Sequence, residues 1–267
     1  MKLKLIALAA MLAAGSANAT IQDGSAGNGE LFMTVLDSVG LKSYTLDLNL
    51  TMNDFLAGIA VSGKSYNYTA DANMASFLSM VAPADKSGLV FAIGAMDTVG
   101  ATATDYHRYI STASAIDLNN TVTNANLKQL GSSGATFLGN TNGLIGNADS
   151  LIVTDSSLVA YAGSAQWGSN WGTSANFTST GLTDTDEIVE ATDLGMYFLR
   201  QAPGGAFADR LKPSSYAAIL QDGNQVYANL STNGNLMIAA VPEAETYAMM
   251  LAGLGLVGFM VARRRQA

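Results

Sequence analysis

Apolar and polar residues alternate most regularly over residues 43–52 (SYTLDLNLTM). Every second residue from Tyr44 to Met52 is apolar, and the residues between them, from Thr45 to Thr51, are polar. A period of two predicts a strand with one buried and one solvated face, which is typical of antiparallel sheets. Residues 30–37 (ELFMTVLD) predict a strand before it, because the turn-forming sequence at 38–40 lies between the two.

Short apolar segments bounded by Gly, Asn, Asp or Ser predict further strands at 89–96, 108–112, 150–154, 158–162, 196–200, 225–230 and 236–241. Two helices are expected, at 72–81 and at 120–130, where Leu127 and Leu130 would pack on the sheet. The Gly-, Ser-, Thr- and Asn-rich segments 131–147 and 163–181 are either surface loops or a boundary between two halves, and we prefer loops. These elements predict a mainly β fold, similar to a β-sandwich, with one or two small helices.

The C-terminal end carries a separate apolar segment. Residues 246–262 contain no charged residue, and as a helix these 17 residues would extend roughly 25 Å, enough to predict a single transmembrane helix. The basic tail Arg263, Arg264 and Arg265 follows directly. Because clustered arginines stay on the cytoplasmic side of a membrane, the chain before the span is expected to lie outside the cytoplasm.

The N-terminal end predicts export as well. Lys2 and Lys4 precede the short apolar run 5–14, and Ala17 and Ala19 form a small-x-small cleavage site. This pattern is typical of a secretory signal peptide over residues 1–19, cut by signal peptidase. The exported domain would then cover residues 20–240.

Residues 241–267 resemble the PEP-CTERM sorting signal of bacterial surface proteins. The resemblance rests on Val241, Pro242 and Glu243, the apolar segment after them and the arginine cluster; Ala244 stands where the motif usually has a second proline. It implies that an exosortase-type enzyme cuts the chain near the motif, after a stage in the inner membrane of a Gram-negative bacterium. The body would then pass to the cell surface or the exopolysaccharide matrix. The alternative is a membrane anchor that is never cleaved.

Charge and composition narrow the function of the body. The chain has a net charge of −8; without the two terminal segments, eight basic and 19 acidic residues remain, which gives −11. Such a body would repel nucleic acid phosphates, so no nucleic acid partner is expected. The chain has no cysteine, which excludes disulfides, thiol catalysis and Cys-ligated metals. His107 is the single histidine, and we predict no catalytic residue, metal or cofactor.

Trp167 and Trp171 are the first candidate binding residues. In a strand they would share a face about 13 Å apart, a spacing that suits two separated sugar units of a polysaccharide. The alternative is that they pack a Gly-rich loop onto the core, since tryptophan is mostly buried in proteins.

Asp184, Asp186 and Glu187 are a weak candidate for a calcium site, because a hard cation needs several oxygen ligands. The segment departs from the EF-hand pattern, since it has no glycine at the sixth position and no glutamate at the twelfth. A solvated acidic loop is the alternative interpretation.

Together these features predict an exported surface or matrix protein, most simply a non-catalytic component of exopolysaccharide or biofilm. The alternative is a glycan- or calcium-binding surface module. An exported hydrolase that uses paired carboxylates is a third hypothesis.

Overall fold

The computed structural model describes residues 20–99, 107–113, 123–166, 180–181, 194–200 and 215–240. These residues form twelve strands: β1 Glu30–Asp37, β2 Lys42–Thr51, β3 Tyr66–Tyr68, β4 Val90–Asp97, β5 Arg108–Ala113, β6 Ser150–Val153, β7 Thr180–Gly181, β8 Leu194–Arg200, β9 Ser215–Ala218, β10 Leu220–Gln221, β11 Asn224–Leu230 and β12 Leu236–Ala240. They also form three α-helices: α1 Met52–Ile59, α2 Ala72–Met80 and α3 Asn124–Ile145.

All twelve strands belong to one curled, antiparallel sheet. The main path runs β3-β12-β11-β8-β5-β4-β1-β2-β6, with the short strands β7, β9 and β10 paired beside it. The mainly β fold is therefore confirmed, but the prediction of a sandwich of two sheets is wrong for the described residues. The physical reason lies in the pairing: β1 bonds to both β2 and β4, and β5 joins β4 to β8, so one continuous ladder replaces two facing sheets.

Strand β2 lies where the alternating pattern predicts it, and β1 lies at the predicted residues 30–37, but both faces of β2 are largely buried from Ser43 to Leu48. Tyr44 and Leu48 face the larger core, as expected. Thr45 and Asp47, which the pattern assigns to solvent, are 0% and 3% exposed, whereas Asn49 is exposed as predicted. Ser43, which precedes the alternation, is 0% exposed. Ser43 accepts a hydrogen bond at its Oγ from the backbone N–H of Ala162, 3.0 Å away, so another part of the chain covers this polar face.

Helices α1 and α2 cover the larger hydrophobic core, and each begins at a capping side chain. Thr51 ends β2 and accepts the backbone N–H of Asp54 at its hydroxyl, which starts α1 directly after the strand. Asp71 accepts the N–H of Met74 and starts α2. The helical residues that enter the core with the sheet are Met52, Phe55, Ile59, Met74, Phe77, Leu78 and Val81, the last directly after α2.

Helix α3 packs on the opposite side of the sheet from this core. Leu127 and Leu130 are buried against sheet residues, as predicted, and Phe137 lies 6.2 Å from Phe32 between ring centroids. The prediction of a loop over 131–147 is wrong, because α3 continues to Ile145. Glycine disfavours a helix by only about 1 kcal/mol per residue, and the buried apolar face of α3 outweighs that cost.

The remaining strand predictions differ in one place. Residues 158–162 form consecutive turns rather than a strand, with Tyr161 N–H donating to the Leu158 carbonyl at 3.1 Å. The turn begins at Asp155, whose carboxylate accepts the Ser157 N–H and hydroxyl. The other predicted strands overlap β4, β5, β6, β8, β11 and β12, and the predicted helix at 72–81 overlaps α2.

Candidate functional site

The C-terminal strand β12 carries the chain out of the sheet. It lies between β11 and β3, with Ala240 opposite Val226 and Ile238 opposite Tyr66. Strand β12 is therefore held on both sides as far as Ile238. Its last residue, Ala240, directly precedes the sequence Val241-Pro242-Glu243 on which the sorting resemblance rests.

A tight hairpin lies beside the end of β12. Asp222 and Gly223 connect β10 to β11 with φ angles of 52° and 88°. Positive φ at both central positions of a two-residue loop is typical of a type I′ turn, which the Asp-Gly pair favours. The turn places Leu220 and Gln221 next to the strand that pairs with β12.

The segment after α1 is fixed to this hairpin by one side chain. The Nε2 group of Gln221 donates to the carbonyls of Ile59, Val61 and Lys64 at 2.7, 2.8 and 2.9 Å. Gln221 is 6% exposed, and the two hydrogens of its amide group are shared among these three carbonyls, of which that of Val61 also accepts the Lys64 N–H at 3.0 Å. The hairpin, the segment 60–64 and the end of β12 consequently form one end of the sheet.

The N-terminal end of the exported domain is also fixed. Ile21 is 1% exposed, and its backbone is bound from both sides by the amide of Asn142 on α3, at 2.9 Å each. Thr20 is exposed. The predicted cleavage residues Ala17 and Ala19 lie outside the described residues, a short distance before this anchored position.

Asp47 is the described carboxylate with the clearest change in acidity. Burial raises its pKa from the usual 3.8 to about 6, and the negative charges of Glu30 and Asp149 raise it further, against the Asn49 N–H bond that lowers it. Its Oδ2 atom is buried without a hydrogen-bond partner among the described residues. The sequence pattern assigned Asp47 to a solvated face, so its acidity was not predicted.

A second polar cluster connects α2 to β6. The Asp71 carboxylate accepts the Ser150 hydroxyl, and the Asn73 amide donates to the Ser150 carbonyl and Oγ at 3.2 and 2.9 Å. Burial raises the pKa of the neighbouring Tyr44, and the charge of Asp71 adds to this increase. The half-buried Asp71 and Asn73 both bond to the buried Ser150 within the fold, which is typical of a structural network, whereas the buried Tyr44 hydroxyl has no hydrogen-bond partner among the described residues.

An ionic contact joins β4 to β5. The Arg108 guanidinium contacts the Asp97 carboxylate through Nε and Nη2, and Asp97 is almost fully buried. His107 directly precedes β5 and is half-buried. Among the residues that the structure describes, no group of three His, Asp or Glu is arranged to hold a metal ion.

Most of the residues singled out from the sequence lie outside the described residues. These are Trp167 and Trp171, the acidic trio Asp184, Asp186 and Glu187, and the sorting residues Val241, Pro242, Glu243, Arg263, Arg264 and Arg265. The predicted transmembrane helix 246–262 lies outside them too. Within the described ranges, no helix has the length and apolar character needed to span a membrane.

Comparison with known protein families identifies the C-terminal segment. Residues 240–265 match the PEP-CTERM protein-sorting motif. The match begins at Ala240, the last residue of β12, and ends at Arg265. No curated protein and no solved structure matches the chain. The motif implies export, passage through a membrane and processing by an exosortase-type enzyme, and the chain carries this PEP-CTERM sorting motif at residues 240–265.

Proposed function

We propose that the chain is a matrix or surface protein of a Gram-negative bacterium, released from the inner membrane by an exosortase-type enzyme and non-catalytic once released. The sorting motif at residues 240–265 is the observation that carries this proposal. The motif itself implies export and processing. The matrix role, exopolysaccharide as a partner and the bacterial type go further and rest on the properties of the body.

The arrangement of polar groups in the body supports a structural role. Asp71 caps α2 and accepts the Ser150 hydroxyl, while Gln221 binds three backbone carbonyls. Both side chains are occupied by contacts that hold parts of the fold together. Such contacts stabilise a fold without leaving those groups available for a substrate.

The negative net charge of the body favours its solubility in a hydrated matrix. With a net charge of −11 over residues 20–240, the body repels its own copies and other anionic polymers at long range, which favours solubility. Its stability does not depend on disulfide bonds, because the chain has no cysteine.

A deletion strain tests the matrix role. We expect that loss of the gene weakens cohesion of the matrix, and that the wild-type chain restores it. The double variant Pro242→Ala/Glu243→Ala should fail to restore cohesion, because it would remain in the membrane fraction. Normal cohesion in the deletion strain would contradict a matrix role.

Incubation of the released protein with purified exopolysaccharide separates the three hypotheses. A non-catalytic component should generate no new reducing ends, whereas a hydrolase would generate them. Loss of polysaccharide retention in a folded Trp167→Ala/Trp171→Ala variant would instead favour a glycan-binding module. A calcium-dependent thermal shift that Asp184→Asn/Asp186→Asn removes would favour a calcium-binding one.

A further inference from the structure

Two exposed apolar side chains lie at the end of the sheet where β12 leaves it. Val61 is 61% exposed and Leu220 is 51% exposed. Gln221 binds the carbonyls of Val61 and Lys64, and Leu220 pairs with Gln225 in the strand that pairs with β12. We call Val61, Lys64 and Leu220 the tether-side surface.

The sequence limits how far this surface can be from a membrane. Five residues, 241–245, separate the end of β12 from the predicted span at 246–262. Even fully extended, five residues reach only about 18 Å. With the predicted span in the bilayer, the end of β12 would therefore stay within about 18 Å of the hydrocarbon core until the chain is cut.

We propose that the tether-side surface docks on the phospholipid surface while the C-terminal segment is still anchored in the membrane. This inference rests on the proposed function, since it requires a membrane-held stage. The transfer of exposed Val and Leu side chains from water to the interfacial region of a bilayer lowers the free energy. The short tether makes the contact effectively intramolecular, so even a weak interaction is populated.

The charged residues at this end of the sheet are of both signs, so we attribute the attraction to the membrane to apolar contact. Lys64 lies with its Nζ 5.0 Å from the centre of the Tyr66 ring. The exposed Asp222, in the neighbouring hairpin, carries the opposite charge. Docking should therefore persist when salt screens electrostatic attraction to anionic lipids.

Another exposed apolar group provides a matched control at the far end of the sheet. Val39 and Leu41, in the turn between β1 and β2, are 68% and 50% exposed. Neighbouring strands are antiparallel along the path from β12 to β2, so β2 and β12 run in the same direction. Lys42, which starts β2, then lies at the opposite end of the sheet from Ala240.

The absence of cysteine in the sequence makes site-specific labelling direct. The full chain, with its C-terminal segment, is prepared as Val61→Cys, Leu220→Cys, Val39→Cys and Leu41→Cys, and each is labelled with an environment-sensitive fluorophore. The labelled proteins are reconstituted into vesicles of phosphatidylethanolamine and phosphatidylglycerol that contain nitroxide lipids. Quenching should be several-fold stronger at positions 61 and 220 than at 39 and 41, in low and high salt.

A charge variant tests the apolar contact. With the fluorophore at position 61, Leu220→Asp should reduce quenching several-fold, whereas Leu41→Asp should leave it unchanged. Equal quenching at both ends, or stronger quenching at positions 39 and 41, would overturn the inference. Flotation of the vesicles identifies the source of a failure: protein that does not float refutes the membrane stage itself, whereas floating protein without selective quenching refutes the docking alone.

Discussion

The carboxylate of Asp71 bonds to the hydroxyl of Ser150, and this contact joins the two end regions of the curled sheet. Asp71 follows β3, the terminal strand at one end of the path, and Ser150 begins β6, the terminal strand at the other. The hydroxyl of Tyr68 in β3 also donates to the Leu48 carbonyl in β2 at 3.1 Å. Side chains thus connect regions that the strand ladder leaves apart.

Removing the Asp71 carboxylate should destabilise the fold. In Asp71→Ala, α2 loses its N-terminal cap and Ser150 loses its acceptor, so we expect the free energy of unfolding to fall by about 1–3 kcal/mol in urea denaturation. Asp85→Ala is a suitable control, because Asp85 precedes a 3₁₀ turn without a side-chain capping bond. Its effect should stay within about 0.5 kcal/mol. An equal loss in both variants would contradict the account.

The acidity of Asp47 predicts a pH-dependent stability. Its folded-state pKa of about 6 lies above the usual 3.8, so protonated Asp47 favours the folded state. This contribution is complete below about pH 4 and is lost as the pH rises through about 6. Asp47→Asn should therefore raise the free energy of unfolding at pH 7 relative to the wild type, by up to about 3 kcal/mol, and less at pH 4.

Thermal unfolding of both proteins from pH 4 to pH 8 checks this prediction. Asp155→Asn serves as a control of opposite sign, because hydrogen bonds from Ser157 lower the pKa of the exposed Asp155. Its contribution is present above the unfolded-state pKa and is lost as the pH falls, so this substitution should not stabilise the protein at pH 7. A wild type and an Asp47→Asn variant that differ by the same amount at every pH would refute the assignment.

Gln221 should be sensitive to a change of one atom. In Gln221→Glu, a carboxylate replaces the Nε2 donor and faces the carbonyls of Ile59, Val61 and Lys64. The lost bonds and the buried charge should cost about 3 kcal/mol or more in the free energy of unfolding at neutral pH. The same change from an amide to a carboxylate at the exposed Asn233, in Asn233→Asp, should change it by less than about 0.5 kcal/mol. Equal stability of the two variants, measured by denaturation, would disprove this role.

The glycines of α3 should respond to alanine in opposite directions. A Cβ at Gly139 or Gly143 would have no neighbour within 4 Å, so Gly139→Ala and Gly143→Ala should each stabilise the fold by about 0.5–1 kcal/mol. A Cβ at Gly131 would lie 2.6 Å from the Tyr109 hydroxyl and 2.9 Å from the Thr98 Cγ2. Gly131→Ala should therefore destabilise by about 1–3 kcal/mol. Thermal denaturation that gives the same sign for Gly131 and Gly139 would contradict this packing.

The sequence predicts those elements of the fold that a local pattern of residues determines. The alternation from Tyr44 to Met52 locates β2 because strand residues point to opposite faces, and it fails for Asp47 because distant residues cover the polar face. The glycines of α3 favoured the prediction of a loop, because glycine has a low helix propensity. The helix forms because residues such as Phe137 pack against Phe32, which the local sequence does not indicate. The local sequence does not predict whether the strands form one sheet or two, because this depends on strand pairs such as β5 with β8 that lie far apart in the sequence.

The sorting signal is predictable from the sequence because all of its parts are adjacent in the chain. The signal consists of a Pro-Glu pair, an apolar span and an arginine cluster that follow one another directly. Their order and spacing identify the signal without knowledge of the fold, and the match at 240–265 confirms this prediction. The contacts of Gln221 had no such signal, because its three acceptors lie about 160 residues earlier in the chain.

Intact-mass spectrometry of the protein tests the central claim, that the C-terminal segment is a sorting signal removed after export. The protein is purified from the membrane and the matrix fractions of cells with and without the exosortase-type enzyme. We expect matrix protein that begins at Thr20 and ends within a few residues of Glu243, and an uncut, membrane-bound form that retains Arg263–Arg265 when the enzyme is missing. Matrix protein that still carries the arginine cluster would contradict the account.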